Sequence, residues 1–136
     1  MIDVAEQMLK RIYSSFTMSN VETLMTLLTK FFATSYKKII VNDNQIKRLK
    51  QIFAARKGPV IFVPTHRSYV DFLVVSAILY FYGMEVPLIC SGEDFLNLAV
   101  VADLLRGSGA FFMRRTFRGD DLYKSIFYEY VRQLNR

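Results

Sequence analysis

The chain is 136 residues long, 52% hydrophobic and 15% aromatic, which fits one folded domain with a genuine core and excludes intrinsic disorder. Its single cysteine, Cys90, excludes an internal disulfide framework, and with only one histidine too few ligands remain for a zinc site, so no metal is expected. The net charge of +6 sits in the front half: residues 1–68 carry eleven Lys/Arg against four Asp/Glu, and residues 69–136 seven against eight.

Residues 1–56 predict a helical N-terminal region. Met8, Leu9, Ile12 and Phe16 suggest a helix over roughly 2–17. Ser19-Asn20-Val21-Glu22 has capping-box spacing, followed by Leu24, Leu27, Leu28, Phe31 and Phe32 on one helical face. Asn42 to Gln45 caps a third helix, with Ile46, Leu49 and Phe53 on its inner face. No charged segment followed by an apolar run opens the chain, so no secretory signal is visible and an intracellular protein is expected.

From residue 57 to 136 the rhythm becomes that of an α/β fold. Val60–Val63, Val86–Cys90 and Ala110–Met113 are short apolar runs expected as strands, although Pro87 removes a ladder donor from the second. Helical patterns over roughly 69–82, 94–106 and 121–134 alternate with them, predicting a parallel sheet of βαβαβα order. The longest apolar stretch, Phe72 to Tyr82, is about half the length of a membrane-spanning helix. It reads as a core helix. In an open parallel sheet ligands bind beyond the carboxyl ends of the strands. His66, Ser91-Gly92 and Arg114-Arg115 follow the three runs, so all are expected on one sheet edge.

His66 and Asp71 form a candidate general base and its orienting carboxylate. Ser68 to Asp71 equally fits a helix N-cap with an acidic partner, and the two readings are compatible. There is no Gly-x-Ser-x-Gly elbow, Ser68 is too close to His66 for an assumed triad, and Cys90 reads as a small buried hydrophobe. A hydroxyl on the substrate is therefore the expected nucleophile, attacking directly without a covalent intermediate. Arg114 and Arg115, with Arg118 nearby, suit a phosphate; the plain alternative is a solubilising surface pair. Gly107 reads as a helix C-cap, and no dinucleotide fingerprint is present. The basic front half suits anionic partners or, equally, a solvated helical face. Nothing beyond the charge favours nucleic acid, which is not expected as a partner.

Pro64-Thr65-His66-Arg67-Ser68-Tyr69-Val70-Asp71-Phe72-Leu73, followed by Gly109-Ala110-Phe111-Phe112-Met113-Arg114-Arg115, resembles two blocks of the glycerolipid acyltransferase family, which uses a His-x-x-x-x-Asp motif. Asp94-Phe95-Leu96, Leu104-Leu105-Arg106 and Arg114-Arg115-Thr116-Phe117 lean towards its branch that acylates dihydroxyacetone phosphate in ether-lipid synthesis. The branch acting on glycerol 3-phosphate is a near relative. The resemblance implies fatty acyl transfer from acyl-CoA, as co-substrate and without a cofactor, to the acceptor's hydroxyl. His66 would be the base, Asp71 its orienter, and Arg115 with Arg114 would hold the acceptor phosphate. Arg67, Ser68 and Gly109, in the same blocks, are further substrate-binding candidates. A membrane surface is the implied setting: that of the peroxisome, or alternatively of the endoplasmic reticulum or mitochondrion. The family's third block, of Glu-Gly-Thr-Arg type, and its proline-centred fourth are absent from these residues. The expectation is a fragment of the catalytic domain, incomplete at its C-terminus, with weak or no activity alone and an exposed sheet edge. A non-catalytic acyl-CoA- or lipid-binding module on the same fold is the competing expectation.

Overall fold

The computed structural model describes residues 2–135. Six α-helices, two strands and one 3-10 helix are formed among them: α1 (Ile2–Ile12), α2 (Met18–Ser35), α3 (Asp43–Ala55), α4 (Val70–Phe81), β1 (Ile89–Gly92), the 3-10 helix (Glu93–Asn97), α5 (Ala99–Gly107), β2 (Ala110–Met113) and α6 (Asp121–Leu134). The chain divides into two compact units, one of Met1–Leu24 with Leu88–Arg136 and one of Met25–Pro87.

In the first unit β1 and β2 pair in parallel, Ile89 opposite Ala110 through Gly92 opposite Met113, with α5 in the crossover between them. β2 occupies the expected residues. β1 starts three residues later than expected, beyond Pro87, whose missing N–H cannot enter a ladder. The expected 94–106 helix is split: the 3-10 helix ends at Leu98, and α5 begins at Ala99. The core here is Ile12, Phe111, Tyr123 and Phe127, with Met8, Phe117 and Tyr130 packed against it. α1 and α6 thus bury one face each against β2.

α1 ends at Ile12, well short of residue 17, because the following backbone finds better partners. The N–H groups of Ser15 and Thr17 donate to the carbonyls of Arg106 (3.2 Å) and Gly107 (2.8 Å) at the end of α5. The Arg106 guanidinium lies over the rings of Tyr13 and Phe112, 5.2 and 4.8 Å from their centroids, and donates to the carbonyls of Tyr13 and Arg11. Thr17, not Ser19, caps α2: its hydroxyl accepts from the Asn20 N–H, while Ser19 is already helical. The buried face of α2 is Val21, Leu24, Met25, Leu28 and Phe32, so the expected stripe loses Leu27 and Phe31, which are exposed.

Gly107 is the last residue of α5, and its role is close approach. A Cβ there would lie 2.1 Å from Nδ2 and 3.0 Å from Cβ of Asn20 on α2. The expected C-cap is not at Gly107 but at Ser108, and a positive φ, of 106°, follows at Gly109.

In the second unit the Asn42 side chain caps α3 as expected, accepting from the N–H groups of Asn44 and Gln45. The expected strand over Val60–Val63 is not formed. Phe62 packs its ring on Phe53 of α3 at 6.3 Å, while Ile61 and Val63 are 75% and 88% exposed. A strand is maintained by its ladder, and among the described residues only β1 and β2 form one. The sheet is therefore two-stranded rather than three-stranded, and His66 does not sit at a strand end. α4 follows at 70–81, and Tyr82 donates to Asp43 Oδ1 at 3.0 Å, fastening the end of α4 to the start of α3. No helix among the described residues is long and apolar enough to cross a membrane.

Candidate active site

The His66–Asp71 motif is assembled locally, within the second unit. The loop before α4 turns over so that Asp71, in the first helical turn, faces back along it. Asp71 Oδ2 accepts from the N–H groups of Arg67 (2.6 Å) and Ser68 (2.8 Å), and the Ser68 hydroxyl accepts from the Val70 N–H at 3.2 Å. Ser68 and Asp71 thus brace the turn before α4 as the cap reading expects, although the residue flanking the helix is Tyr69, whose side chain caps nothing. His66 Nδ1 lies 3.7 Å from the same Oδ2, a charge contact rather than a hydrogen bond. One carboxylate thus braces the turn and faces the imidazole. The His66 side chain is 61% exposed, and its edge meets the Tyr69 ring at 6.4 Å. With Nδ1 towards Asp71, Nε2 is the ring nitrogen that the carboxylate does not face. Arg67 and Ser68 contribute backbone to the turn, and Ser68 its hydroxyl as well.

The backbone N–H groups of Ser68 and then Arg67 lower the Asp71 pKa, against a smaller opposing effect of desolvation. A carboxylate depressed in the folded state stabilises the turn above its ordinary pKa, and that contribution is lost as pH falls through the depressed one. In an NMR titration, the Arg67 and Ser68 amide resonances are expected to shift with one midpoint below that of a free aspartate. A midpoint at or above the free value would contradict this arrangement.

Gly109, Arg114 and Arg115 lie in the first unit. Gly109 opens β2: its carbonyl accepts from the Ile89 N–H at 3.0 Å. The two arginines differ sharply. Arg114 is half-buried, with Nη1 2.6 Å from Asp120 Oδ2, Nε 3.9 Å from Glu93 Oε2 and its guanidinium over the Tyr123 ring at 4.1 Å. The Tyr123 hydroxyl accepts from the Arg114 N–H at 3.0 Å. Asp120 in turn caps α6, accepting from the Tyr123 N–H. Its pKa is lowered by that backbone bond first and by Arg114 second. The Arg114 guanidinium is thereby built into the packing of α6. Arg115 is 78% exposed, with Nε and Nη2 at 2.8 and 2.5 Å from one oxygen of Asp94, Oδ2. Arg118 is exposed and its N–H donates to Thr116 Oγ1. Cys90 is exposed rather than buried, though desolvation by its neighbours raises its pKa and favours the thiol.

Sequence reasoning missed the carboxylates that hold these arginines. Asp94 enters the sequence reading only in Asp94-Phe95-Leu96 and as the start of a helical pattern, and Glu93 and Asp120 are not singled out there. The spacing of Asp120 and Tyr123, six and nine residues beyond Arg114, was the available signal.

Residues 38–136 match the Acyltransferase family, and the chain belongs to it. Over 110 residues it is 49% identical to the dihydroxyacetone phosphate acyltransferase of Mus musculus, a stretch that is 81% of this chain and 16% of that protein. The human dihydroxyacetone phosphate acyltransferase is 48% identical over 109 residues, covering 80% and 16%. The glycerol-3-phosphate acyltransferase of Pseudomonas fluorescens (strain SBW25) is 41% identical over 123 residues, covering 90% and 14%. The chain thus spans about a sixth of the length of the curated relatives it matches.

Proposed function

We propose that this chain carries the base-bearing part of an enzyme that transfers a fatty acyl group from acyl-CoA to the hydroxyl of dihydroxyacetone phosphate. The observation that carries this reading is the His66–Asp71 contact, at 3.7 Å, in a chain close to half identical to dihydroxyacetone phosphate acyltransferases. His66 Nε2 takes the proton of the acceptor hydroxyl as its oxygen attacks the thioester carbonyl. The new C–O bond forms, the C–S bond breaks, and coenzyme A leaves as thiolate, to be protonated by the imidazolium. Asp71 steadies that imidazolium. No cofactor takes part; acyl-CoA is the co-substrate. Arg115, the more exposed of the arginine pair, holds the acceptor phosphate, and Arg114 supports it from within the fold. The reaction belongs at a membrane surface, which supplies and receives the acyl chains, and the ether-lipid reading puts that membrane at the peroxisome.

Glycerol 3-phosphate is the second acceptor to consider, given 41% identity to an enzyme named for it. The test is labelled palmitoyl-CoA with either acceptor, with and without vesicles. Preferential labelling of dihydroxyacetone phosphate is expected. Preference for glycerol 3-phosphate would move the protein to the other branch. Saturable acyl-CoA binding unchanged by His66→Ala, with no turnover even in a full-length form, would replace the enzyme with a binding module.

A further inference from the structure

The Arg115–Asp94 pair raises a question that the phosphate-holding reading leaves open. An arginine that holds a phosphate elsewhere in its cycle is here ion-paired to a carboxylate of its own unit. Both of its donors, Nε and Nη2, point at the single oxygen Oδ2, at 2.8 and 2.5 Å. These are the two donors that form one side of the guanidinium fork, the side that grips a phosphate through two oxygens. Asp94 and Arg115 are both exposed, at 56% and 78%, so the pair sits in water and is weak enough to exchange. Asp94 is set in the 3-10 helix directly after β1, and Arg115 two residues beyond the end of β2. The pairing of these two strands, Gly92 opposite Met113, fixes the distance between them. Arg114, next in sequence, is not part of this exchange, because Asp120 and the Tyr123 ring hold it.

We propose that Asp94 is a positioning and selectivity residue that competes with the acceptor's phosphate for Arg115. The inference rests on the reading of Arg115 given above. In the resting state Asp94 masks the cation and holds the fork extended. A phosphate monoester displaces it because, above about pH 6, it carries nearly two negative charges against one. Monoanions, including carboxylates, gain nothing by the exchange. The pair thereby selects dianionic acceptors over the many singly charged metabolites and lipid headgroups that a bare arginine would attract.

The test is a titration of the full 136-residue chain with inorganic phosphate and with dihydroxyacetone phosphate, followed by NMR at the Arg115 Nε–H resonance. Asp94→Asn is expected to tighten both ligands roughly two- to fivefold, the range of an exposed ion pair released. It is also expected to bind acetate, which the native chain does not, and to flatten the rise of phosphate affinity with pH through about 6. Asp103→Asn, which removes an exposed charge from α5, should leave all of these unchanged and so separates local competition from a general loss of negative charge. Unchanged or weaker phosphate binding in Asp94→Asn would overturn the inference, as would an equal gain in Asp103→Asn. Arg115→Ala, followed at the backbone amides of residues 113–117, distinguishes the two levels. If it leaves phosphate affinity intact, the reading of Arg115 itself fails. If it abolishes binding while Asp94→Asn brings no gain, only the role of Asp94 fails.

Discussion

In the active protein, His66→Ala is expected to lower acyl transfer by about 10²–10⁴-fold, the usual contribution of a positioned general base. The fold should be unaffected. The imidazole is 61% exposed, makes no hydrogen bond to Asp71 at 3.7 Å, and leaves the Arg67 and Ser68 N–H bonds to Asp71 in place when removed. Asp71→Asn is expected to behave differently. The amide retains an oxygen for those N–H groups but carries no charge opposite the imidazolium, so turnover falls while the turn persists. The measurement is release of free coenzyme A, with circular dichroism as the fold control. An His66→Ala variant with native turnover would remove the histidine from the chemistry altogether.

Gly107→Ala is expected to be the most damaging small substitution in the first unit. Its added Cβ would meet Nδ2, Cγ and Cβ of Asn20 at 2.1, 2.6 and 3.0 Å. The helices cannot simply part, because the Ser108 hydroxyl donates to the Asn20 carbonyl at 3.1 Å and the Thr17 N–H to the Gly107 carbonyl at 2.8 Å. Overpacking of this kind costs about 1–3 kcal/mol, a fall in Tm of roughly 4–10 °C for a chain of this size. Asn20→Ala removes the two nearest atoms and should return most of the loss, a coupling that a double-mutant cycle in thermal unfolding would measure. Additive losses in the double variant would show that the contact is not what makes position 107 small.

What was legible in the sequence was local. The Asn42 cap bonds residues two and three positions away, and the Asp71 turn closes over five residues, so chain spacing alone encodes both. β2 was legible because Ala110 to Met113 is apolar on both faces and is preceded by a glycine that takes the positive φ required at the turn. The failures are places where tertiary contacts decide. Val60–Val63 has a buried-strand composition, but a strand needs a paired neighbour and Phe62 is engaged by Phe53. Ser19 and Thr17 are both good caps, and the bond from the Thr17 N–H to α5 selects between them. Arg114 and Arg115 are identical in sequence terms; their partners, Asp120 and Asp94, make one a packing element and the other an exposed ion pair.

The segment between α1 and α2 carries a practical consequence for anyone shortening this protein. The family match begins at residue 38, which invites a cut there. Such a cut would discard Ile12 and Val21, which are 1% and 0% exposed, together with the backbone that caps the carboxyl end of α5. The surviving piece would present Phe111, Phe127 and the face of β2 to solvent. Aggregation of such a piece on expression would reflect the two missing helices, and would say nothing about the candidate site residues it retains.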